Sequence, residues 1–454
     1  MALWKTPSTQ RASTEPDRVA NELRPHLYEL GGDAIQYDAL LRLVGKSRFA
    51  LLGEASHGTL EFYRERIRIT QRLIAEAGFT AIAVEADWPD AWRVNRYVRG
   101  ASDDRSADQA LSGFKRFPSW MWRNTEVRDF VEWLRDFNRT RPQHLQVGFY
   151  GLDLYSLFTS IEAVLAYLDQ HDPEEARRAR ARYACFDHAK GDSQAYGYAA
   201  SYGIGATCED EVVQQLRQMN RLAASGIAGS GLERDELFFA QQNARLVHNA
   251  EEYYRTMFRG RVSSWNLRDS HMSETLQALD RHLAASGTPP KFAVWAHNSH
   301  LGDASATEMG DMGEWNVGQL ARDRYGHDAV LVGFSTFNGW VTAASDWDEP
   351  HRRKRVVDAL DGSWEDVFHC CGVERASLVL RGNDAVRALA MPQRLQRAIG
   401  VIYRPETERQ SHYFHTRLAD QFDVMIHIDE TQALEPLDRG EQHAQEPQTY
   451  PSGV

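Results

Sequence analysis

The chain is marked by short, nearly continuous apolar runs with amphipathic stretches between them. Phe49-Ala50-Leu51-Leu52, Ile82-Ala83-Val84, Val147-Gly148-Phe149-Tyr150, Phe292-Ala293-Val294-Trp295, Ala329-Val330-Leu331-Val332, Ser377-Leu378-Val379-Leu380 and Ile399-Gly400-Val401-Ile402 are of this kind, and Val424-Met425-Ile426 closes the series. A strand without polar alternation has no face to give to water, which is the pattern of strands covered on both sides in a parallel sheet. Residues 61–77 instead place Phe62, Ile69, Leu73 and Ala77 at helical spacing. Strand-helix alternation predicts an α/β fold, a mostly parallel central sheet flanked by helices.

Residues 155–290 break the alternation. They carry amphipathic helical pattern with little strand signal; Leu237, Ala240, Ala244, Val247 and Tyr254 recur on one face. This stretch reads as a helical insertion capping the carboxyl edge of the strands, where it would wall a substrate cleft. Residues 1–17 and 440–454, rich in Ser, Thr, Gln and Pro, read as mobile tails, leaving 18–439 as a single domain.

Composition narrows the function. Formal net charge is -12 and no basic stripe with interleaved aromatics is present, which argues against nucleic-acid binding. No apolar run reaches the length of a membrane span, and Met1–Asp17 has no secretory apolar core. Four cysteines (Cys185, Cys208, Cys370 and Cys371) show no CxxC spacing and read as structural thiols in a reducing cytoplasm.

The chemistry lies where the apolar runs end. The first runs into Gly53-Glu54-Ala55-Ser56-His57-Gly58, the second into Glu85-Ala86-Asp87-Trp88, the third ends at Asp153, and the fourth runs into His297-Asn298-Ser299-His300. Ligands bind at this edge of open α/β sheets. Four strand ends carrying ionisable groups therefore point to one shared site, because a buried charge needs a partner. His57, His297 and His300 suit proton transfer near neutrality, and Glu54 and Glu85 could orient an imidazole or act as acid or base. Each alone would serve equally as a structural pair.

Serine nucleophiles fit poorly. Ser56 and Ser335 each miss a glycine of the GxSxG elbow. Water activated by a histidine or by a metal is the better candidate. His297 and His300, three apart, could join His57 and a carboxylate in a zinc site, although no HExxH helix supports it. Arg66 falls on a different helical face from Arg64 and Arg68 and is a candidate to hold a carboxylate or an oxyanion. Arg268 is either an exposed helix charge or a substrate-binding cation. Trp88, Trp92, Trp120, Met121 and Trp122 suit a bulky organic ligand or an ordinary core.

The segments GEASHGTLEFYRER, GFTAIAVEADW, GFYGLDLYS, VWAHNSHLGDASATEMG and RAIGVIYRPETERQSHYFH resemble the erythromycin esterase family, and the resemblance runs from about residue 20 to 437. It implies an α/β sheet with a helical cap and hydrolysis of carboxylic esters, macrolide lactones such as erythromycin among them. It also implies His57 as the general base on water, with Glu54, Arg66, Glu85, His297 and His300 in the active site, Arg268 a weaker match, and no metal or other cofactor. Trp88 and Asp153 are further expected substrate contacts, and the expected partner is a small-molecule ester. Two other readings remain: a metal-dependent hydrolase using the same histidines, and a non-enzymatic binder of haem or another large cofactor.

Overall fold

In the computed structural model, which describes residues 15–31, 37–189, 191–225, 232–258, 260–285 and 287–438, the apolar runs form the middle of an eight-stranded sheet. The strands in chain order are β1 (Leu27–Glu29), β2 (Phe49–Leu52), β3 (Ala81–Asp87), β4 (Gly148–Asp153), β5 (Phe292–Trp295), β6 (Ala329–Ser335), β7 (Asn338–Ala343), β8 (Arg352–Val356), β9 (Arg375–Val379), β10 (Arg394–Arg397), β11 (Tyr413–Thr416), β12 (Val424–Ile428) and β13 (Glu430–Thr431). The sheet order is β1-β9-β12-β6-β2-β5-β3-β4. From β12 to β4 every pairing is parallel, while β9 runs antiparallel to both β12 and β1.

Every residue of β2 to β6 and of β12 is buried, as strands without polar alternation require. Alternate side chains feed opposite faces. Phe49, Leu51, Phe292 and Val294 join one apolar cluster, while Ala50, Leu52, Ala293 and Trp295 join the other. Between β4 and β5 the described residues form helices and no strand, the longest being Leu232–Thr256 and Arg261–Ala284. Residues 1–14 and 440–454, expected as tails, lie outside the described residues, whereas Glu15–Asp17 open the first helix.

Two expectations are corrected. Ile399-Gly400-Val401-Ile402 is not a strand of the sheet. It crosses the strand-end loops, with the Ile399 N–H donating to the Ala55 carbonyl (2.8 Å) and Val401 accepting from the Ala344 N–H (2.9 Å). Its apolar side chains are explained by that crossing, and the neighbouring strand β10 pairs with β11 in a separate two-stranded sheet. The four cysteines are not all thiols either. Cys185 and Cys208 form a disulfide with Cα atoms 5.7 Å apart, with the Ser193–Ser201 helix between them in the chain. Cys370 and Cys371 remain free. The pairing removes the argument from cysteine usage to a reducing compartment. No helix among the described residues is long and apolar enough to cross a membrane.

Candidate active site

The site is assembled from the carboxyl ends of β2, β3, β4 and β5. After β2 the chain turns through Gly53, where any Cβ would sit 2.2 Å from Asn298 Oδ1. That contact lets the turn dock against the loop after β5, and the Asn298 N–H donates to the Glu54 carbonyl (2.8 Å). The turn presents His57 to a cleft, with its Nδ1 3.0 Å from Glu54 Oε1. Arg66 reaches back from the Leu60–Ala77 helix and donates from Nη2 to Glu54 Oε2 (2.6 Å). Arg66 is wholly buried, and its remaining Nε and Nη1 lack hydrogen-bond partners. The guanidinium lies over the rings of Tyr63 (4.5 Å) and Trp295 (5.3 Å), whose faces attract its charge. The Arg64 and Arg68 side chains instead project from the same helix toward solvent, paired with Glu126 and Glu65, as the face argument requires.

Arg268 links the other strand ends. From the Arg261–Ala284 helix it donates from Nη2 to Glu85 Oε1 (2.7 Å) and Asp153 Oδ2 (2.7 Å), and from Nε to Asp153 Oδ1 (3.0 Å). It is therefore a buried cation and not an exposed helix charge. Glu85 accepts the His297 backbone N–H with its second oxygen (2.9 Å). His300 lies between Asp269, whose oxygens are each 2.9 Å from Nδ1, and Glu85, and its ring stacks on Trp265.

Burial sets the electrostatics, and the partners decide the sign. Burial alone would raise the Glu85 carboxyl, but His300 and Arg268 outweigh it and hold the group well below the usual carboxylate range. Asp153 is lowered in the same way, with Arg268 outweighing burial. Burial would lower His300, yet Asp269 and Glu85 prevail over it and over the Arg268 charge, and its pKa is raised to about 9. His297 has no such carboxylate pair. Burial and the neighbouring His57 hold it well below the ordinary imidazole value, so it is neutral. Its Nδ1 accepts the Ser299 N–H (3.2 Å), which places its proton on Nε2, a buried atom with no hydrogen-bond partner. The His57 and His297 rings are 4.9 Å apart.

Eight of the nine candidate residues thus form one network: Glu54, His57, Arg66, Glu85, Asp153, Arg268, His297 and His300. His57, Glu85, Asp153 and Arg268 line the cleft itself, and the others stand behind them. Trp88 is the exception. It is buried in the core against Trp92, Tyr150 and Phe239, donates Nε1 to the Phe239 carbonyl, and does not line the cleft. The aromatic wall comes instead from Phe114, Phe117, Trp122 and Trp347. Sequence reasoning also missed Asp269, Asp90 and Arg116. Asp90 stands three residues after Asp87 in the same strand-end segment, and that repeat of acids was the available signal.

Among the described residues no group of three or more His, Cys, Asp or Glu side chains is arranged to hold a metal ion. Away from this site, a serine–histidine–aspartate chain, Ser335–His427–Asp429, has Ser335 Oγ 3.0 Å from His427 Nδ1. Ser335 and His427 are both buried, which keeps that hydroxyl from a substrate.

These features define an α/β protein whose histidine–carboxylate centre lies past the ends of parallel strands, beside an aromatic-walled cleft. The chain belongs to the erythromycin esterase family, whose model matches residues 74–431. That span includes Glu85, Asp153, Arg268, His297 and His300, while Glu54, His57 and Arg66 precede it. The erythromycin esterase type II of Escherichia coli is 22% identical over 418 residues, covering 88% of this chain and 93% of the relative. Among solved structures, a Bacillus cereus protein superposes with a TM-score of 0.75 at 20% identity, over 94% of this chain and 100% of its own. A succinoglycan biosynthesis protein gives 0.73 at 19% identity, with 94% and 100% covered. A histidine-to-asparagine mutant of the erythromycin esterase EreC, in its open conformation, gives 0.65 at 17% identity, with 90% and 97% covered. At these identities the structural likeness establishes the fold.

Proposed function

We propose that the protein is a carboxylic ester hydrolase, with macrolide lactones among its substrates, in which His57 activates water without a metal or a covalent intermediate. The observation that carries this reading is the Glu54–His57 pair at the cleft wall. A carboxylate on Nδ1 fixes the tautomer in which Nδ1 holds the proton, leaving Nε2 as the base. Nε2 takes a proton from water as the oxygen attacks the ester carbonyl. The imidazolium, stabilised by Glu54, then returns the proton to the leaving alkoxide, giving a carboxylic acid and an alcohol. Arg66 holds the Glu54 carboxyl in place.

The tetrahedral oxyanion needs a donor. Arg66 is engaged by Glu54, and His300 by Asp269 and Glu85. Arg268 is likewise engaged, by Asp153 and Glu85. His297 Nε2–H, neutral and unpartnered beside His57, is better placed for that role. Membership of the family supports ester hydrolysis, and the name of the Escherichia coli relative supports macrolides as the substrate class to try first.

The test is His57→Asn assayed against macrolides and simple esters, with circular dichroism to confirm the fold. The rate should fall by about 10²–10⁴-fold. Near wild-type turnover by a folded His57→Asn protein would overturn the assignment. The wild-type rate should also survive chelation. Stoichiometric zinc whose removal abolishes the rate and whose return restores it would refute the metal-free mechanism.

A further inference from the structure

Beyond the reacting groups the cleft carries two carboxyls that the ester chemistry does not use. Asp87 is the N-cap of the Trp88–Val98 helix and Asp90 lies in its first turn. Carboxylates at these positions ordinarily accept the free N–H groups of the helix end. Here Asp87 makes no capping bond. It gives one oxygen to Arg116 Nε (2.9 Å), and its Oδ1 is buried without a partner. Asp90 makes no hydrogen bond or ion pair among the described residues. Its Oδ1 lies over Gly113, where a Cβ would come within 2.7 Å of it. Both acids line the cleft together with Phe114, Phe117, Trp122 and Trp347.

The charged groups around Asp90 do not neutralise it. Arg116 is bonded to Asp87 and lies over the Tyr155 ring, and Arg93 is bonded to Asp104. Lys115, exposed at the surface, lowers the Asp90 carboxyl but forms no ion pair with it. Burial and the Asp87 charge push the Asp90 carboxyl up to about 7. A half-buried acid left without a cation is costly unless a ligand supplies one. Two carboxylates without a third ligand do not make a metal site. Carboxylates beside aromatic faces match a bulky, weakly hydrated organic cation.

We propose that this end of the cleft is a subsite for an alkylammonium group of the substrate, held between the Asp87 and Asp90 carboxyls and the aromatic wall. The proposal rests on the cleft being the ester site and adds the class of ester that fits it, one carrying an amine that is charged near neutrality.

Calorimetric titration of the whole protein with choline and with 3,3-dimethylbutan-1-ol, its uncharged carbon isostere, tests this at pH 6 and pH 8. At pH 8 choline should bind about tenfold more tightly or better. The preference should shrink at pH 6 as Asp90 takes up a proton. Asp90→Asn should bring the preference close to unity. Gly113→Ala, which keeps the charge but displaces the carboxyl, should lower it as well. Equal binding of the two probes, or a preference that survives Asp90→Asn, would overturn the subsite. Binding is read without turnover, so a protein that hydrolyses no ester yet keeps the preference refutes the esterase reading and leaves the subsite standing.

Discussion

Replacing His300 by asparagine asks whether the ring at the centre of the network carries charge. In the folded protein its pKa is raised from the ordinary 6.5 to about 9, since Asp269 and Glu85 outweigh burial and Arg268. A change of that size corresponds to about 3 kcal/mol of preference for the charged ring. Because the folded value lies above the unfolded one, this stabilisation is fully present below about pH 6.5. It declines as pH rises and is gone above about pH 9. Urea unfolding followed by tryptophan fluorescence, on wild type and His300→Asn in parallel, cancels other titrating groups to first order. The stability gap between the two proteins should therefore shrink by about 3 kcal/mol between pH 6 and a pH just above 9. A gap that stays constant would refute the reasoning. It would mean a neutral ring whose Nε2 accepts a hydrogen bond from Arg268 Nη1, 3.0 Å away.

Further substitutions probe the supports of the site. Arg66→Met leaves the buried Glu54 carboxyl without its cation and should cost about 3–5 kcal/mol of stability in denaturant unfolding. Adding Glu54→Gln should recover part of that loss, and an additive double mutant would show that the two residues do not interact. Gly58→Ala would place a Cβ 1.9 Å from the Thr342 carbonyl oxygen, a backbone atom. It should lower the melting temperature and, by shifting the turn that holds His57, the rate; an unchanged rate would show that the turn is tolerant. Cys185→Ser opens a crosslink between residues 23 positions apart and should cost about 3 kcal/mol. Identical melting of the variant and the oxidised wild type would show that the crosslink contributes nothing.

The parallel sheet was legible because burial on both faces leaves a signature along the chain, as in Phe49–Leu52 or Phe292–Trp295. Strands with one wet face left none. β8 reads Arg-Arg-Lys-Arg-Val and looks like a surface charge run. The run at 399–402 misled for the opposite reason: its apolar residues answer to burial against the strand-end loops, which a strand and a crossing segment share. In the site, residues attached to strand ends were found by position, and Arg66 by its helical face. Asp269 and Arg116 were missed because their partners are distant in sequence, His300 for the first and Asp87 for the second. Trp88 follows β3 directly, yet its ring turns into the core. Adjacency to a strand end places a backbone and leaves the direction of the side chain open.

The strand order carries a consequence for how the protein comes to exist. β5 lies between β2 and β3 in the sheet, although Phe292 follows Asp87 by 205 positions in the chain. During synthesis, His57 and Glu85 are made long before the strand that must separate and join their own. Until it arrives, β2 and β3 have open edges toward an empty slot, the condition that exposes slow-folding sheets to wrong pairings. Filling the slot closes loops of high sequence separation, a late and slow event. The segment that fills it runs on into His297 and His300, so a single insertion joins β2 to β3 and brings both histidines to the proposed site. On the proposed function, molecules in which β5 is not seated lack two of the site's histidines, and recovery of ester turnover on refolding would mark its seating.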